Sequence, residues 1–535
     1  MLYPRILPEA SRRWRPSQHR RILCVFPKYA HSFGTFQYSY PLLPRVRAFM
    51  PPQGILIVSA YLPPEWEVRF VDENLRPATE RDMRWADAVF ISGMHVQKTS
   101  IDRINDLAHR AGRLTVLGGP SVSGCPDYYP DVDVLHIGEL GDATDELIRM
   151  LDSSIDRPSR QCVLTTGERL PLENFPSPAY DRLDMTRYFL GSVQFSSGCP
   201  FLCEFCDIPA LYGRNPRLKR PEQVVGELDA MLTAGLRGAV YFVDDNFIAN
   251  PAAARALLPH LIDWQRRTGY RVRLCCEATL NLASHEDILA QMREANFSAV
   301  FCGIETPEPA GLELMRKKQN MRQPILDSVR RINAHGMEVV AGIILGLDSD
   351  TPRTGANIVR FIEESRIPML TINLLYALPR TPLYQRLEAE GRLTNDPQRP
   401  SNVLFKMDDE QVVGMWRQVI REAYEPARLL ERFRSQTIEC YPNRLPGPTR
   451  VTPSMLRHGV SVVARTLWRV GMTSDYRREF WELCRPLLRQ GRIEEVMHIG
   501  IVSNHLIRFA RDCQTQKAEA SFYADPNRAE AAVTR

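Results

Sequence analysis

The chain has 535 residues, enough for roughly two to four domains with cores of their own. Its apolar content of 44% and charged content of 24% are those of ordinary globular protein. A net charge of +5 is too weak a bias to argue for nucleic acid, and no run approaches the roughly 18 consecutive apolar residues of a membrane span. Twelve cysteines spread over the whole length form no disulfide framework, so a reducing cytoplasm is expected.

Residues 1–21 are rich in Arg and Pro and lack the apolar core of a signal peptide. A disordered extension or a misplaced start is expected, with a basic membrane- or nucleic-acid-contacting arm as the alternative. Residues 22–155 alternate short apolar strands (22–26, 68–72, 88–92, 115–117, 132–137) with helical patterns (54–62, 101–111, 143–151). That alternation predicts a doubly wound parallel sheet, whose ligands sit outside the carboxyl ends of the strands. Those ends carry Ser92-Gly93-Met94, Gly118-Gly119-Pro120-Ser121 and Gly138-Glu139, small residues that let backbone approach a large flat ligand. Tyr29-Ala30-His31-Ser32-Phe33-Gly34, after the first strand, places a lone histidine in a loop, where a plain polar surface role is the usual one. Residues 156–190 hold Pro158, Pro171, Pro176 and Pro178 and read as a linker with a small hairpin around Thr166-Gly167.

Residues 191–402 repeat strand then helix six times, with strands expected at 193–196, 239–243, 272–276, 299–303, 338–344 and 370–376. A partial (β/α)6 barrel follows, with its active residues at the C-terminal strand ends. Just after the first of these strands comes Cys199-Pro200-Phe201-Leu202-Cys203-Glu204-Phe205-Cys206, a C-x3-C-x2-C loop. Three thiolates on one loop can hold three irons of a [4Fe–4S] cubane and leave the fourth open. A structural zinc site wants four ligands, and no second pair lies nearby, since Cys275-Cys276 reads as core. Residues 403–515 form a helical region. A helix is expected over 408–423, and Leu456, Val460, Val463, Leu467 and Val470 fall on one helical stripe, with Arg457, Arg465 and Arg469 off it. That stripe is either a lid on the barrel or a surface that meets a membrane. Residues 516–535 are expected as a disordered tail.

The cysteine spacing, with Phe205 before the last cysteine, resembles the fingerprint of the radical SAM superfamily. The resemblance implies that S-adenosylmethionine chelates the open iron. It further implies contacts from Asp244-Asp245-Asn246 to the methionine amino group and from Glu305 to the ribose. Adenine would be met by the stretch Gly342-Ile343-Ile344-Leu345-Gly346. Glu277 ends the third strand with no assigned role. The plain alternative is that these carboxylates cap helices or face water.

The order of Ser92 and Gly118-Gly119 before such a loop resembles the cobalamin-binding domain of the B12-dependent radical SAM class, with Met94 where the family has Leu. Ser92, Gly93, Gly118, Gly119, Pro120, Gly138 and Glu139 are the implied cobalamin contacts. The D-x-H-x-x-G element of many cobalamin proteins is broken here, with Tyr29 in place of Asp, so no histidine is expected on cobalt. Long stretches, among them Ala48 to Gly54 (Ala-Phe-Met-Pro-Pro-Gln-Gly), Phe70-Val71-Asp72-Glu73-Asn74 and Thr371-Ile372-Asn373-Leu374, resemble the hopanoid C-2 methylases. The resemblance implies transfer of a methyl group from S-adenosylmethionine, via cobalamin, to a ring carbon of a hopanoid lipid, after a 5′-deoxyadenosyl radical removes its hydrogen. It also implies an external electron donor such as flavodoxin or ferredoxin, and peripheral contact with the inner membrane. Other substrates of the class (a tetrapyrrole or another natural product), a radical cyclase, and a non-catalytic cobalamin or iron–sulfur sensor are the rival readings.

Overall fold

Runs of branched apolar residues bury both faces of a parallel sheet, and the chain builds two such sheets. The computed structural model describes residues 16–396, 399–449 and 452–515. The first sheet holds β1 (Arg21–Phe26), β2 (Glu67–Asp72), β3 (Ala88–Ser92), β4 (Leu114–Gly118), β5 (Val134–Ile137) and β6 (Cys162–Thr165). Its order is 2-1-3-4-5-6 and every pair is parallel. Alternate residues of β1 enter different cores: Ile22, Cys24 and Phe26 on one face, Leu23 and Val25 on the other. The order reverses between β1 and β3, where a crevice opens at the carboxyl ends.

Two segments differ from expectation. β6 lies in the stretch expected as a linker and pairs in parallel with β5, so the turn at Thr166-Gly167 closes no hairpin. Residues 16–20 are tied down: Ser17 and Gln18 donate to the Asp152 carboxylate, and Arg20 donates to the carbonyls of Leu151 and Asp152. Residues 1–15 and 516–535, expected as disordered ends, lie outside the described residues.

The second sheet holds β7 (Leu190–Val193), β10 (Gly238–Phe242), β11 (Val272–Glu277), β12 (Phe297–Glu305), β13 (Glu338–Leu345) and β14 (Met369–Leu374), in that order and all parallel. β7 and β14 are both edges, so this is an open six-stranded barrel with a seam. A two-stranded ribbon, β8 (Ser196–Ser197) with β9 (Arg217–Leu218), brackets the cysteine loop. β7 ends earlier than expected because Phe195 and Ser196 turn their N–H groups to the Asp244 carboxylate.

The seam is covered from two sides. Residues 47–49 run beside β7, with Phe189 N donating to Ala48 O at 2.9 Å and Leu190 N to Phe49 O at 2.9 Å. Helices follow the barrel at Asp409–Ala423, Pro426–Glu439, Pro453–Thr466, Arg477–Arg489 and Ile493–Gln514. Asp408 caps the first through Gln411 N at 3.1 Å. The last holds the 33–42 segment: Asn504 donates to Tyr38 O at 2.7 Å, Ser39 Oγ donates to Ile501 O at 2.7 Å, and His505 meets Phe33 O at 3.0 Å. Helix Pro453–Thr466 runs into a π-turn, Leu467–Met472. The stripe expected there divides: Val470 is buried, Val463 and Leu467 are half-buried, and Leu456 and Val460 are exposed.

Candidate active site

The cysteine loop is held by acceptors at the end of β10. Gly198 has φ +101°, and its N–H donates to Asp245 at 2.7 Å. A Cβ there would press within 2.9 Å of Gly213 O, so glycine is required. Cys199 N donates to Gly213 O at 3.2 Å, Glu204 N to Met315 O at 3.0 Å, and Gln319 donates to Cys203 Sγ at 3.3 Å. Glu204 is also clamped by Arg386, at 2.7 Å, and Arg386 and Arg392 share Asp348. Burial raises the Cys199 and Cys206 thiols above their ordinary range. Bonding to iron as thiolates is the chemistry that offsets such a cost.

Asp244 and Asp245 therefore face the loop. Asp244 is fully buried, and burial pushes it up to about 6; burial, chiefly, pushes Asp245 up to about 7. Asn246 bonds Thr279 Oγ1 at 3.3 Å and accepts from Ile248 N. Gly346 has φ +91°, and its N–H donates to Asp350 at 2.7 Å.

A cavity of about 1650 Å³ fills the barrel and reaches past its ends. It exceeds the ~300–1,000 Å³ of an ordinary small-molecule pocket. Its upper wall includes Met94 from the end of β3, Cys206 and Asp207 from the cysteine loop, and Glu277, Glu305 and Gly342 from strand ends. Glu277 accepts from Tyr241 OH at 3.3 Å, and burial, chiefly, pushes its carboxyl up to about 7. Glu305 is ion-paired with Lys317, both of them buried. Burial opposes the Lys317 charge, but Glu305, together with Cys203 and Cys206 in their thiolate forms, outweighs it and holds the ammonium above its usual range. Of the residues singled out in the sequence, Cys206, Glu277, Glu305 and Gly342 thus share one wall, while Cys199, Cys203, Asp244, Asp245, Asn246 and Gly346 are off it. Asp207, Lys317 and Gln319 were not legible as site residues: nothing in their spacing marks them.

The first sheet meets this wall at its carboxyl edge. Helix Pro120–Gly124 packs on helix Ile208–Leu211, just after Cys206. Gly119 has φ +97°, and a Cβ on it would fall 2.7 Å from Ser92 Oγ. Gly138 N donates to Ser123 Oγ at 3.0 Å. Glu139 does not face open space: it pairs with Arg217, with Arg169 at 3.3 Å, and accepts from Ser197 Oγ at 3.3 Å. It links the first sheet to the cysteine loop. Gly93, Gly118 and Pro120 stand at the same edge. His31 is exposed, beside Lys28 and Asp512 and off the cavity wall.

Three cysteines on a strand-end loop of an open parallel barrel define a radical SAM protein, and residues 193–362 match the model of the Radical SAM superfamily. Residues 381–519 match a domain of unknown function, DUF4070. The fold is similar to that of TsrM, a radical S-adenosylmethionine methyltransferase of Kitasatospora setae solved with cobalamin and a [4Fe-4S] cluster bound. TM-score is 0.56 at 15% identity, covering 93% of this chain and 100% of that one. It is similar also to OxsB, a cobalamin-dependent S-adenosylmethionine radical enzyme solved with aqua-cobalamin and S-adenosylmethionine bound, at TM-score 0.58 and 14% identity, covering 97% and 84%. In sequence it is 54% identical over 507 residues to a hopanoid C-2 methylase of Rhodopseudomonas palustris (strain TIE-1), covering 94% of this chain and 96% of the relative. The chain belongs to that hopanoid C-2 methylase family and is a radical SAM C-methyltransferase.

Proposed function

We propose that this enzyme methylates C-2 of a hopanoid lipid. The observation that carries the reading is the hollow barrel, taken with the name of the relative at 54% identity. Bulky branched side chains fill the inside of an ordinary (β/α) barrel. Here Ala239, Ala299, Gly303, Gly342 and Thr371 face inward, and the space they leave is walled by Phe189, Leu190, Phe301, Val340 and Leu374. A long, rigid, apolar polycycle suits such a space.

The residues present fit the cofactors of the class. Cys199, Cys203 and Cys206 would hold the [4Fe–4S] cluster, and Glu305 and Gly342 face the space beside it where S-adenosylmethionine would bind. The two domains' strand ends oppose one another across the cavity from Met94 to Cys206, which suits a flat cobalamin between them. Ser92, Gly93, Gly118, Gly119, Pro120 and Gly138 stand at the strand ends beside Met94, off the cavity wall itself, and their backbone would meet the cobalamin there. When bound, these groups supply the radical and the methyl group, and the hard chemistry is theirs. The chain's own part is placement and exclusion of water. Asp244 and Asp245 fix the cysteine loop, Lys317 and Glu305 set the charge beside it, and the apolar barrel keeps a carbon radical away from solvent. The cluster needs an external one-electron donor of flavodoxin or ferredoxin type, and a reducing cytoplasm suits both it and the free cysteines.

The test is expression in a hopanoid-producing host that lacks 2-methylhopanoids, followed by mass spectrometry of the lipid extract. 2-Methylhopanoids are expected. Their absence with folded, cofactor-loaded protein, together with methylation of a pigment or another small molecule, would overturn the lipid substrate and leave the radical methylase class standing.

A further inference from the structure

Helix Pro453–Thr466 and its π-turn carry two parallel ridges on their outer side. Leu456, Val460, Trp468 and Met472 are 61%, 60%, 64% and 59% exposed, and Ala464 is exposed between them. Beside three of its five turns stands an exposed arginine, Arg457 after Leu456, Arg465 after Ala464 and Arg469 after Trp468. From Arg450 to Arg478 the sequence holds six arginines and one acidic residue, Asp475, which is itself paired with Arg511 at 2.7 Å. Large exposed apolar side chains gathered on one helix are unusual for a free surface. The inner side of the same helix presents Met455, His458, Gly459 and Val462 to the barrel cavity. At this end the cavity is lined by Arg45, Arg237 and Arg271, all exposed.

We propose that this ridge docks the enzyme on an anionic bilayer surface, so that the end of the cavity away from the cysteines opens against the membrane. The apolar ridge gains burial among acyl chains while the flanking arginines meet acidic headgroups. A helix that touches bilayer on one side and cavity on the other lets an apolar lipid enter the barrel without crossing water. This purpose rests on the lipid reading of the site; the docking itself does not require it.

The experiment uses the full chain with vesicles of phosphatidylcholine alone and of phosphatidylcholine mixed with phosphatidylglycerol. Flotation with the anionic vesicles is expected, and weak flotation with the neutral ones. V460E/W468E should weaken binding to anionic vesicles about tenfold or more, and R457Q/R465Q/R469Q should remove most of the preference for them, at a factor of about five per arginine. All five side chains are exposed, with Arg465 donating to the Pro41 carbonyl at 3.2 Å at the surface, so thermal unfolding and iron content should stay close to wild type. Methylation of detergent-dispersed hopanoid should also persist in both variants. A wild-type chain that binds neither vesicle, or a V460E/W468E chain that binds as wild type does, overturns the proposal. So does a dimer, seen by light scattering, that V460E/W468E converts to monomer without any vesicle binding in the wild type. Failure of wild type to methylate dispersed hopanoid, with vesicle binding intact, would fault the substrate reading and leave the docking supported.

Discussion

Lys317 and Glu305 show how a single pair can be set by the fold and hidden in the sequence. Glu305 stands at φ +67°, an uncommon backbone region for a residue with a side chain, where β12 slips its register against β13. A Cβ on Gly303 would overlap both the Glu305 carboxylate and the Lys317 ammonium, so this glycine makes room for the pair. In the sequence, Arg316-Lys317-Lys318 looks like a solvated charge run. Only the turn of the chain buries the middle residue and leaves its two neighbours exposed. Glu305 was legible because it ends a strand; its partner was not. Removing one member of a buried ion pair leaves an uncompensated charge and costs about 3–5 kcal/mol. Lys317→Met should therefore lower the unfolding temperature strongly. Because Lys317 also stands near Cys203 and Cys206, it should reduce the iron retained after reconstitution. Unchanged stability and unchanged iron would show that the pair is dispensable.

At the scale of elements, strand and helix positions were largely legible, since buried strands and amphipathic helices carry their own periods. The misses have physical causes. β6 is a short strand with an alternating, half-exposed pattern at the edge of its sheet, in a proline-rich stretch. The apolar stripe of 456–470 assumes a regular helix, whereas a π-turn begins at Leu467, and which of its flanks is covered depends on the long-range packing of helix Ile493–Gln514. The same long-range packing fixes the helical region to the base of the barrel through Glu338, the first residue of β13. Glu338 is fully buried and meets His498 at 2.9 Å, Tyr441 OH at 3.3 Å and Arg444 at 3.6 Å. Burial alone would raise its carboxyl, but these partners win and hold it below its usual range. A depressed carboxylate stabilises the fold above its unfolded pKa, near 4.3 for Glu, and the contribution fades as pH falls through the folded value. Glu338→Gln should thus lower the unfolding temperature at about pH 7, and the gap to wild type should narrow as pH falls below about 4. A gap of constant size across that range would mean that the carboxylate's charge plays no part.

The whole molecule is organised around a passage. One sheet offers its carboxyl edge to the cysteine loop, clasped there by Glu139 with Arg217 and Arg169. Beneath the loop the barrel is hollow, and the helical region and the 33–50 segment close its seam. Neither the clasp nor the passage could be read from the sequence, because each is made of residues far apart in the chain. A small residue on a strand looks alike whether it admits a ligand or a neighbouring side chain. If the passage holds the substrate, narrowing it should separate the two halves of the reaction. Ala239 lies on β10 and faces the cavity near the strand's start, well before Asp244 and Asp245 at its carboxyl end. Ala239→Phe adds a ring to the cavity while leaving the cysteine loop and its anchors untouched. Iron content and S-adenosylmethionine binding should stay at wild-type levels, and cleavage of S-adenosylmethionine to 5′-deoxyadenosine should continue under reducing conditions. Methylation of the bulky lipid should fall by about a hundredfold, within the few kcal/mol that overfilling a close-packed site costs. Full methylation by a correctly loaded Ala239→Phe chain would mean that the substrate reaches the cofactors by another route, through the crevice between the two sheets.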